Sequence, residues 1–329
     1  MAVEETSAAP SIHAYVLVLL VAFILHKAWQ LSTQVRQGGG GTDRGLQIRK
    51  PALSASVHCP FGAAEAQGMR PYMEDCCAAF GGGSSDGDGA ADSSGGGRFS
   101  FFAVYDGHGG GSASEYCQTH MIRNIMQQTT FRAGRWEDAM KKAFLRTDAS
   151  YLADVGDAGS TALVAMVRDQ QIVVANAGDC RALLLQRGAR AAAAPHHCVA
   201  LSVDHKPNRE DERARIEAAG GTVVFWGVWR VEGILAVSRA IGDKLLKQFV
   251  TAEPETRVWE REPSDAYLVL ATDGVWDTIS NQEAAEIVHQ HAEGAGGSVE
   301  AAAEALVREA FRKGSADNIS ALVVDVGPK

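Results

Sequence analysis

The sequence predicts an α+β fold in which helices pack against mainly antiparallel sheets. Apolar runs at 161–167 and 172–178 are separated by four polar residues, a spacing typical of a β-hairpin. Segments 209–221 and 299–314 have helical patterns and stand apart from this hairpin along the chain. Strands that pair with their neighbours, with separate helices, favour a layered α+β architecture over a parallel α/β one.

Short apolar runs predict the other strands. The run FSFFAVYD at 99–106 ends in an acid, and so does DAYLVLATD at 265–273. A third strand should follow the hairpin at 180–186, and a last strand should lie at 318–326.

Capping patterns predict where the helices begin and end. Ser-x-x-Glu at 112–115 is a capping box, so a helix should run from there to about residue 128. The same pattern at 280–283 opens a helix that reaches residue 291. The segments 209–221 and 299–314 both end in glycine, which should stop each helix there.

Composition and charge exclude several classes of protein. The chain has 329 residues, 46% apolar and 22% charged, so it can bury a core and is not intrinsically disordered. Its 31 Lys and Arg against 40 Asp and Glu give a net charge of −9, which argues against a nucleic-acid binder. The six cysteines form no CxxC pair and no zinc-binding spacing, so we expect reduced thiols.

One hydrophobic segment lies near the start of the chain. Residues 14–25 are all apolar, fewer than the ~18–20 of a spanning helix, and apolar flanks extend the segment to about 12–31. Lys and Arg follow this segment and none precedes it, so a single-pass anchor would leave the folded domain facing the cytosol. A targeting segment and a peripheral or packed helix are the alternatives, with a cytosolic or nuclear location if there is no anchor.

Glycine-rich stretches divide the chain. We expect an N-terminal segment at 1–36, a Gly-rich linker at 37–56 and a single domain at 57–327. A low-complexity insertion with eight glycines interrupts this domain at 81–97.

Acidic residues stand at or beside the ends of the predicted strands. They are Asp106, Asp179, Asp273, Asp317 and the pair Glu74 and Asp75. Each one alone is typical of a turn or a cap. As a set they would repel one another if they met in one cleft, and they would then need cations or protons. Oxygen ligands suit Mg²⁺ or Mn²⁺ better than Zn²⁺, and Gly107 would let a backbone carbonyl approach such an ion.

Nine motifs then reveal a family resemblance. They are GMRPYMED (68–75), VYDGHGG (104–110), GSTA (159–162), NAGDCRA (176–182), LSVDHKP (201–207), RIEAAGG (215–221), LAVSRAIGD (235–243), ATDGVWD (271–277) and SADNIS (315–320). In this order they resemble the metal-dependent protein Ser/Thr phosphatases of type 2C, the PPM family, in a plant-like form. The resemblance covers residues 58–326.

The resemblance implies a four-layer α-β-β-α sandwich with two mainly antiparallel sheets and a site for two Mg²⁺ or Mn²⁺ ions at one end. The implied ligands are Asp106 bridging both ions, Asp273 and Asp317 on one ion, Glu74 and the Gly107 carbonyl on the other, and Asp75 through water. Asp179 and Asp243 match acids near this centre, either as ligands of a weaker third ion or as groups one contact further away.

The implied reaction is hydrolysis of phosphoserine and phosphothreonine by direct attack of a water that the two metal ions activate. Arg70 would bind the substrate phosphate, with a surface salt bridge as its alternative role. His108 would protonate the leaving oxygen, with a capping role as its alternative. The expected partners are phosphorylated proteins, either kinases or their targets.

Three features of the sequence bear on alternative functions. Trp226, in the flap at 220–243, lies near a Trp that abscisic-acid co-receptor phosphatases insert into the hormone receptor, so a receptor is one alternative partner. Glu232 and Trp229 depart from that group. A catalytically inactive binding module is disfavoured because the five carboxylate ligands are present. A metal-dependent nuclease is disfavoured because no basic groove is indicated.

Overall fold

Antiparallel strands form the centre of the domain in the computed structural model, which describes residues 46–51, 57–82, 98–168, 170–187, 197–293 and 296–328. The strands are β1 Ile48–Arg49, β2 Phe61–Ala66, β3 Cys76–Gly82, β4 Phe99–Tyr105, β5 Gly107–His108, β6 Gly159–Ser160, β7 Ala162–Arg168, β8 Gln171–Ala177, β9 Arg181–Gln186, β10 His197–Ala200, β11 Val223–Trp226, β12 Val228–Val231, β13 Ile241–Gly242, β14 Glu255–Glu260, β15 Asp265–Ala271 and β16 Ile319–Asp325.

The helices lie between these strands in the chain. They are α1 Ser112–Met126, α2 Thr129–Arg132, α3 Trp136–Asp154, α4 Glu210–Ala218, α5 Asp273–Trp276, α6 Asn281–Glu293 and α7 Val299–Arg312, with a short 3₁₀ helix at Lys244–Leu246.

Two large sheets face each other. One has the strand order β1-β2-β16-β15-β9-β10 and the other β14-β8-β7-β4-β3, and neighbouring strands run antiparallel in both. The predicted hairpin is confirmed, because β7 pairs with β8. The third strand, β9, instead crosses to the other sheet and pairs with β15.

The sheets and helices stack in four layers. Side chains alternate along β4, so Phe102 and Val104 enter the core between the sheets, whereas Phe101 and Ala103 face α1 and α3. Helices α6 and α7 cover the outer face of the other sheet, where Leu306 is fully buried. The predicted α-β-β-α sandwich is therefore confirmed.

The two predicted capping boxes behave differently. Ser280 and Glu283 exchange side-chain to backbone hydrogen bonds at the start of α6, as a capping box requires. Helix α1 begins at Ser112 as predicted, but its N-cap is Gly111 and no side chain caps it. The hydroxyl of Ser112 instead hydrogen-bonds to that of Tyr151 on α3, 2.8 Å away, so tertiary packing takes the group that would have capped the helix.

The edges of the predicted domain contain additional strand residues. Ile48 and Arg49, in the predicted linker, pair with Ala66 and Glu65 of β2. Gly82, in the predicted insertion, extends β3 and pairs with Phe99, whereas residues 83–97 lie outside the described residues. All six cysteines are described and are free thiols, as expected.

The predicted membrane anchorage needs correction. Over the part of the chain that the structure describes, none of the helices is both long and apolar enough to cross a bilayer. This finding contradicts the predicted membrane-anchored location. The segment 12–31, on which that prediction depended, lies outside the described residues.

Candidate metal centre

The acids at the strand ends meet at one edge of the sandwich. Strands β4 and β8 run in the same direction, since both pair antiparallel with β7, so Asp106 and Asp179 lie at the same edge. Antiparallel β15 and β16 likewise bring the end of β15, where Asp273 begins α5, beside Asp317 at the start of β16. Carboxylate oxygens of Asp106, Asp179 and Asp273 all lie within 4.8 Å of one another.

Thr161 fixes the backbone of Asp106. The Asp106 amide donates to Oγ1 of Thr161 at 3.0 Å, and the Thr161 amide donates back to the Asp106 carbonyl at 2.9 Å. The next residue, Gly107, passes so close to β3 that a Cβ there would lie 2.4 Å from the carbonyl oxygen of Glu74. Glycine is therefore required at 107, and its absent side chain lets the two segments converge.

Asn318 holds the segment that carries Glu74. Its Oδ1 accepts from the Glu74 amide at 2.8 Å, and its Nδ2 donates to the carbonyls of Gln67 and Tyr72 at 2.8 and 2.9 Å. One side chain at the start of β16 thus anchors the loop before β3.

Asp75 is buried beside the cluster. Its carboxylate accepts hydrogen bonds from Thr272 at 3.0 Å and Ser320 at 2.8 Å. Burial raises the pKa of Asp75 to about 7, and the charge of Asp317 adds to the shift while the two hydroxyls oppose it.

Burial and mutual repulsion both act on the pKa values of Asp106 and Asp273 in the acidic cluster, which these two acids form with Asp179. Burial, and then the charge of Asp273, raise the pKa of Asp106 well above its usual range. Burial and the charge of Asp179 do the same for the pKa of Asp273. The ammonium of Lys206 offsets part of this charge, since it lies 2.5 Å from Asp179 and 3.7 Å from Asp273.

Arg70 and His108 lie near the acids. The exposed Arg70 donates to Asp317 at 2.5 Å. The imidazole Nε2 of His108 lies 2.9 Å from both carboxylate oxygens of Asp243. The structure therefore places Asp243 on His108, whereas Asp179 belongs to the cluster with Asp106 and Asp273.

Comparison with known proteins identifies the family. The family model described as "Protein phosphatase 2C" matches residues 60–319. The chain belongs to the protein phosphatase 2C family. It is 42% identical to "Probable protein phosphatase 2C 52" of Oryza sativa subsp. japonica, over 69% of this chain and 44% of that protein. It is 37% identical to "Probable protein phosphatase 2C 59" of Arabidopsis thaliana, over 91% of this chain and 88% of that protein.

A solved structure agrees on the fold. "Crystal structure of serine-threonine phosphatase 2C from Toxoplasma gondii" superimposes with a TM-score of 0.70 over 85% of this chain and 99% of that one, at 24% identity. The chain spans about half the length of two of the plant phosphatases 2C that it matches, 44% of one and 51% of the other.

The donor set fits the divalent cations on which protein phosphatase 2C enzymes depend. Its members are carboxylates and a backbone carbonyl, which are hard oxygen ligands. Burial, and after it the charges of neighbouring carboxylates, raise the pKa values of Asp106 and Asp273, so nearby positive charge would favour their ionised forms. A bound cation would supply that charge, so the site suits a metal on electrostatic as well as chemical grounds.

Two residues of this region were missed by the sequence analysis. Lys206 contacts Asp179 and Asp273, and it lies in the motif at 201–207 that helped to reveal the family. Asp277 follows Asp273 by one helical turn, and burial raises its pKa while Lys206 opposes the shift. The i, i+4 spacing of these two acids was the available signal.

The flap of this protein phosphatase 2C is a hairpin of β11 and β12. Phe225 and Trp226 at its tip are 60% and 42% exposed. The ring of Phe225 packs edge-on against Trp229, with centroids 5.3 Å apart. Glu232 accepts a hydrogen bond from the Thr222 hydroxyl at 3.0 Å, so the acid that departs from the co-receptor pattern closes the base of the hairpin.

Proposed function

We propose that this chain is a protein serine/threonine phosphatase that uses two divalent cations, Mg²⁺ or Mn²⁺, to hydrolyse phosphoserine and phosphothreonine. The observation that carries this proposal is the convergence of acids from several strand ends, where burial and mutual repulsion raise the pKa values of Asp106 and Asp273. Membership in the protein phosphatase 2C family supports the same activity.

The proposed ligands follow the family pattern. Asp106 would contact both cations, Asp273 and Asp317 would complete one of them, Glu74 and the Gly107 carbonyl the other, with Asp75 acting through water and Asp179 available to a weaker third. When bound, the cations would lower the pKa of water and neutralise charge on the phosphoryl oxygens.

Arg70 would orient the substrate. Its guanidinium offers paired donors that match two phosphoryl oxygens, and it is exposed at the edge of the acidic cluster. Because Arg70 contacts Asp317 at 2.5 Å, the same side chain would also link the substrate to a proposed ligand. This arrangement favours an anionic substrate over a neutral ester.

His108 would deliver a proton to the serine or threonine oxygen as it leaves. An alkoxide is a poor leaving group, so protonation of this oxygen lowers the barrier. Burial lowers the pKa of His108, but the charge of Asp243 outweighs this and raises the pKa above its usual value. A raised pKa increases the fraction of the imidazole that is protonated and able to act as an acid.

The proposal is tested with the full chain, a phosphothreonine peptide and p-nitrophenyl phosphate. We expect turnover with Mn²⁺ or Mg²⁺ and its loss in EDTA. Asp106→Asn should lower kcat by at least about 100-fold, because it removes charge stabilisation at the reacting group. The matched control is Asp325→Asn, at the far end of β16, which should keep full activity.

The outcomes separate the alternatives. Full turnover in EDTA would contradict the metal dependence. A folded protein that binds Mn²⁺ but turns over neither substrate would instead support an inactive binding module.

A co-receptor role is the alternative subgroup, and the exposed ring of Trp226 is the observation in its favour. Its test is inhibition of the phosphatase by an abscisic-acid receptor with bound hormone, compared between the wild type and Trp226→Ala. Inhibition that requires Trp226 would support this role, whereas no inhibition would contradict it.

A further inference from the structure

The side chains of His108 and Asp243 are in contact above Gly159. We propose that Asp243 is a positioning residue that aligns the His108 imidazole for proton delivery, and that Gly159 leaves room for the two side chains to meet because it has no side chain. The inference rests on the proposed function, because it assigns His108 the role of acid. In this role Asp243 acts through His108 and does not bind a cation.

The geometry of the contact favours alignment. Both carboxylate oxygens of Asp243 lie 2.9 Å from Nε2, and the two side chains are 27% and 10% exposed, His108 being the more open. A carboxylate that engages one ring nitrogen fixes the rotation of the ring and leaves the other nitrogen, Nδ1, to face a reacting group. When the Nδ1–H bond breaks, its proton forms the O–H bond of the product alcohol, while Nε2 keeps its proton and its contact with Asp243.

The backbone of Asp243 is held in an unusual conformation. Its φ of 54° lies in the left-handed region, which non-glycine residues rarely adopt. Hydrogen bonds hold it there, since the Asp243 amide donates to the Ala158 carbonyl at 3.1 Å and the Asp243 carbonyl accepts from Leu246 at 2.9 Å. Strained residues of this kind concentrate at functional sites, where the surrounding structure enforces them.

A second set of contacts fixes the preceding residue. The Gly242 amide donates to Asp148 at 2.7 Å, and Asp148 also accepts from Lys247 at 2.8 Å. Helix α3, which carries Asp148, thus sets the path of the chain into Asp243. The position of this carboxylate is determined from both sides, as alignment of a partner requires.

Gly159 lies beneath the pair. In the small sheet β13-β6-β5, Gly159 is the register partner of both His108 and Gly242. A Cβ at Gly159 would lie 2.1 Å from Nε2 of His108 and 2.2 Å from a carboxylate oxygen of Asp243. The φ of Gly159 is not in the left-handed region, so alanine suits its backbone and would act only by separating the two side chains.

The experiment compares two substrates in the full chain with Mn²⁺. A phosphothreonine peptide needs a proton on its leaving oxygen, whereas p-nitrophenyl phosphate releases a stable anion and needs little help. Asp243→Asn should keep the shape of the site but lower kcat for the peptide by about 10-fold or more, with a change below about 3-fold for p-nitrophenyl phosphate. Gly159→Ala should reproduce this selectivity with Asp243 intact.

A double substitution provides the decisive readout. In a His108→Ala background, Asp243→Asn should have no further effect on the peptide, because a residue that acts through His108 has nothing left to align. Mn²⁺ affinity, measured by calorimetry, should be the same in Asp243→Asn and the wild type. Asp157→Asn is the matched control, since this nearby carboxylate is 72% exposed and pairs with Lys244, and it should leave both substrates unaffected.

Three results would overturn the inference while the proposed function stands. They are a selective loss in His108→Ala without one in Asp243→Asn, a further loss when Asp243→Asn is added to His108→Ala, and weaker Mn²⁺ binding in Asp243→Asn. Equal slowing of both substrates by His108→Ala would remove the acid role itself, and the inference with it.

Discussion

The carboxylate of Glu212 and the carboxylates of the acidic cluster, Asp106, Asp179 and Asp273, have surroundings of opposite kinds. Around Glu212 on α4, Arg239 lies 2.6 Å from one carboxylate oxygen, and Arg215 and Ser238 lie 2.8 and 2.7 Å from the other. Burial would raise the pKa of Glu212, but these hydrogen bonds outweigh it and hold the pKa at about 2. In the acidic cluster, burial and mutual repulsion prevail instead, and the pKa values of Asp106 and Asp273 rise.

The difference separates an acid that stabilises the fold from the acids of the proposed metal site. Glu212 is satisfied by groups of the chain itself, so its charge is favourable once the protein has folded. Near the acidic cluster, Lys206 supplies positive charge to Asp179 and Asp273. A bound cation would supply further positive charge to these carboxylates. Glu212 is 1% exposed and Asp106 and Asp273 are half-buried, and burial raises the pKa in all three, so the surrounding donors decide the direction of the net shift. Four stability experiments test this comparison.

The largest effect is expected for Glu212→Gln. The substitution removes the buried carboxylate charge that Arg239 and Arg215 both pair with, so the free energy of unfolding should fall by about 3–5 kcal/mol. Urea denaturation measures this fall. Glu217→Gln, which breaks an exposed pair with Arg213, is the control and should cost less than about 1 kcal/mol. Equal losses in the two variants would contradict the comparison.

A pH effect is expected from His205, which belongs to the same balanced network. Burial, reinforced by the charge of Arg239, lowers the pKa of His205 to about 4. Between about pH 6.5 and about pH 4, His205 binds a proton in the unfolded chain but not in the folded protein. The free energy of unfolding should therefore fall as the pH drops through this range. The slope contributed by His205 is at most about 1.4 kcal/mol for each pH unit.

The measurement is the free energy of unfolding across this pH range for the wild type and His205→Gln. The difference in free energy of unfolding between the two proteins should change with pH by the slope given above. A difference that does not change with pH would show that His205 is not held neutral.

A third effect should come from divalent cations. At about 100 times the dissociation constant, Mn²⁺ should stabilise the wild type by about 2.7 kcal/mol, because it binds only the folded cluster. Asp273→Asn should lose most of this gain, whereas Glu212→Gln should keep it. A gain that Glu212→Gln loses as well would mean that the two groups are not independent.

The smallest effect has the opposite sign. In EDTA, Asp106→Asn should raise the free energy of unfolding by an amount on the order of 1 kcal/mol, because it removes a repelled charge from the cluster. With Mn²⁺ present the order should reverse, and the wild type should become the more stable protein. Thermal unfolding under both conditions tests this reversal. A variant that is less stable than the wild type in EDTA would contradict the interpretation of the acidic cluster.

Much of the local structure could be predicted from particular residues. The capping box at Ser280 and Glu283 forms as expected, and the hairpin of β7 and β8 has the predicted pairing. Local signals of this kind depend on neighbours in the chain, so they can be deduced without the rest of the fold. The capping role of Ser112 failed because Tyr151, 39 residues away, takes its hydroxyl.

For the candidate site, the sequence predicted which residues take part better than it predicted which of them are in contact. Sequence motifs pointed to Asp106, Asp179 and Asp273, which the fold brings together. They did not point to Lys206 beside Asp179, nor to Asp243 on His108. The first contact depends on how the segment after β10 lies against the end of β8, and the second on how β5, β6 and β13 pair, and no short-range pattern specifies either.

By itself the sequence determined the class of chemistry and the layered fold. Short apolar runs predict strands that are buried, and oxygen-bearing side chains at strand ends determine which ligands are available. Tertiary structure alone decided how charge is distributed among buried acids. Three side chains donate to Glu212, whereas Asp106 faces other carboxylates. The reason is that a pKa depends on distances in space between groups that can be far apart in the chain.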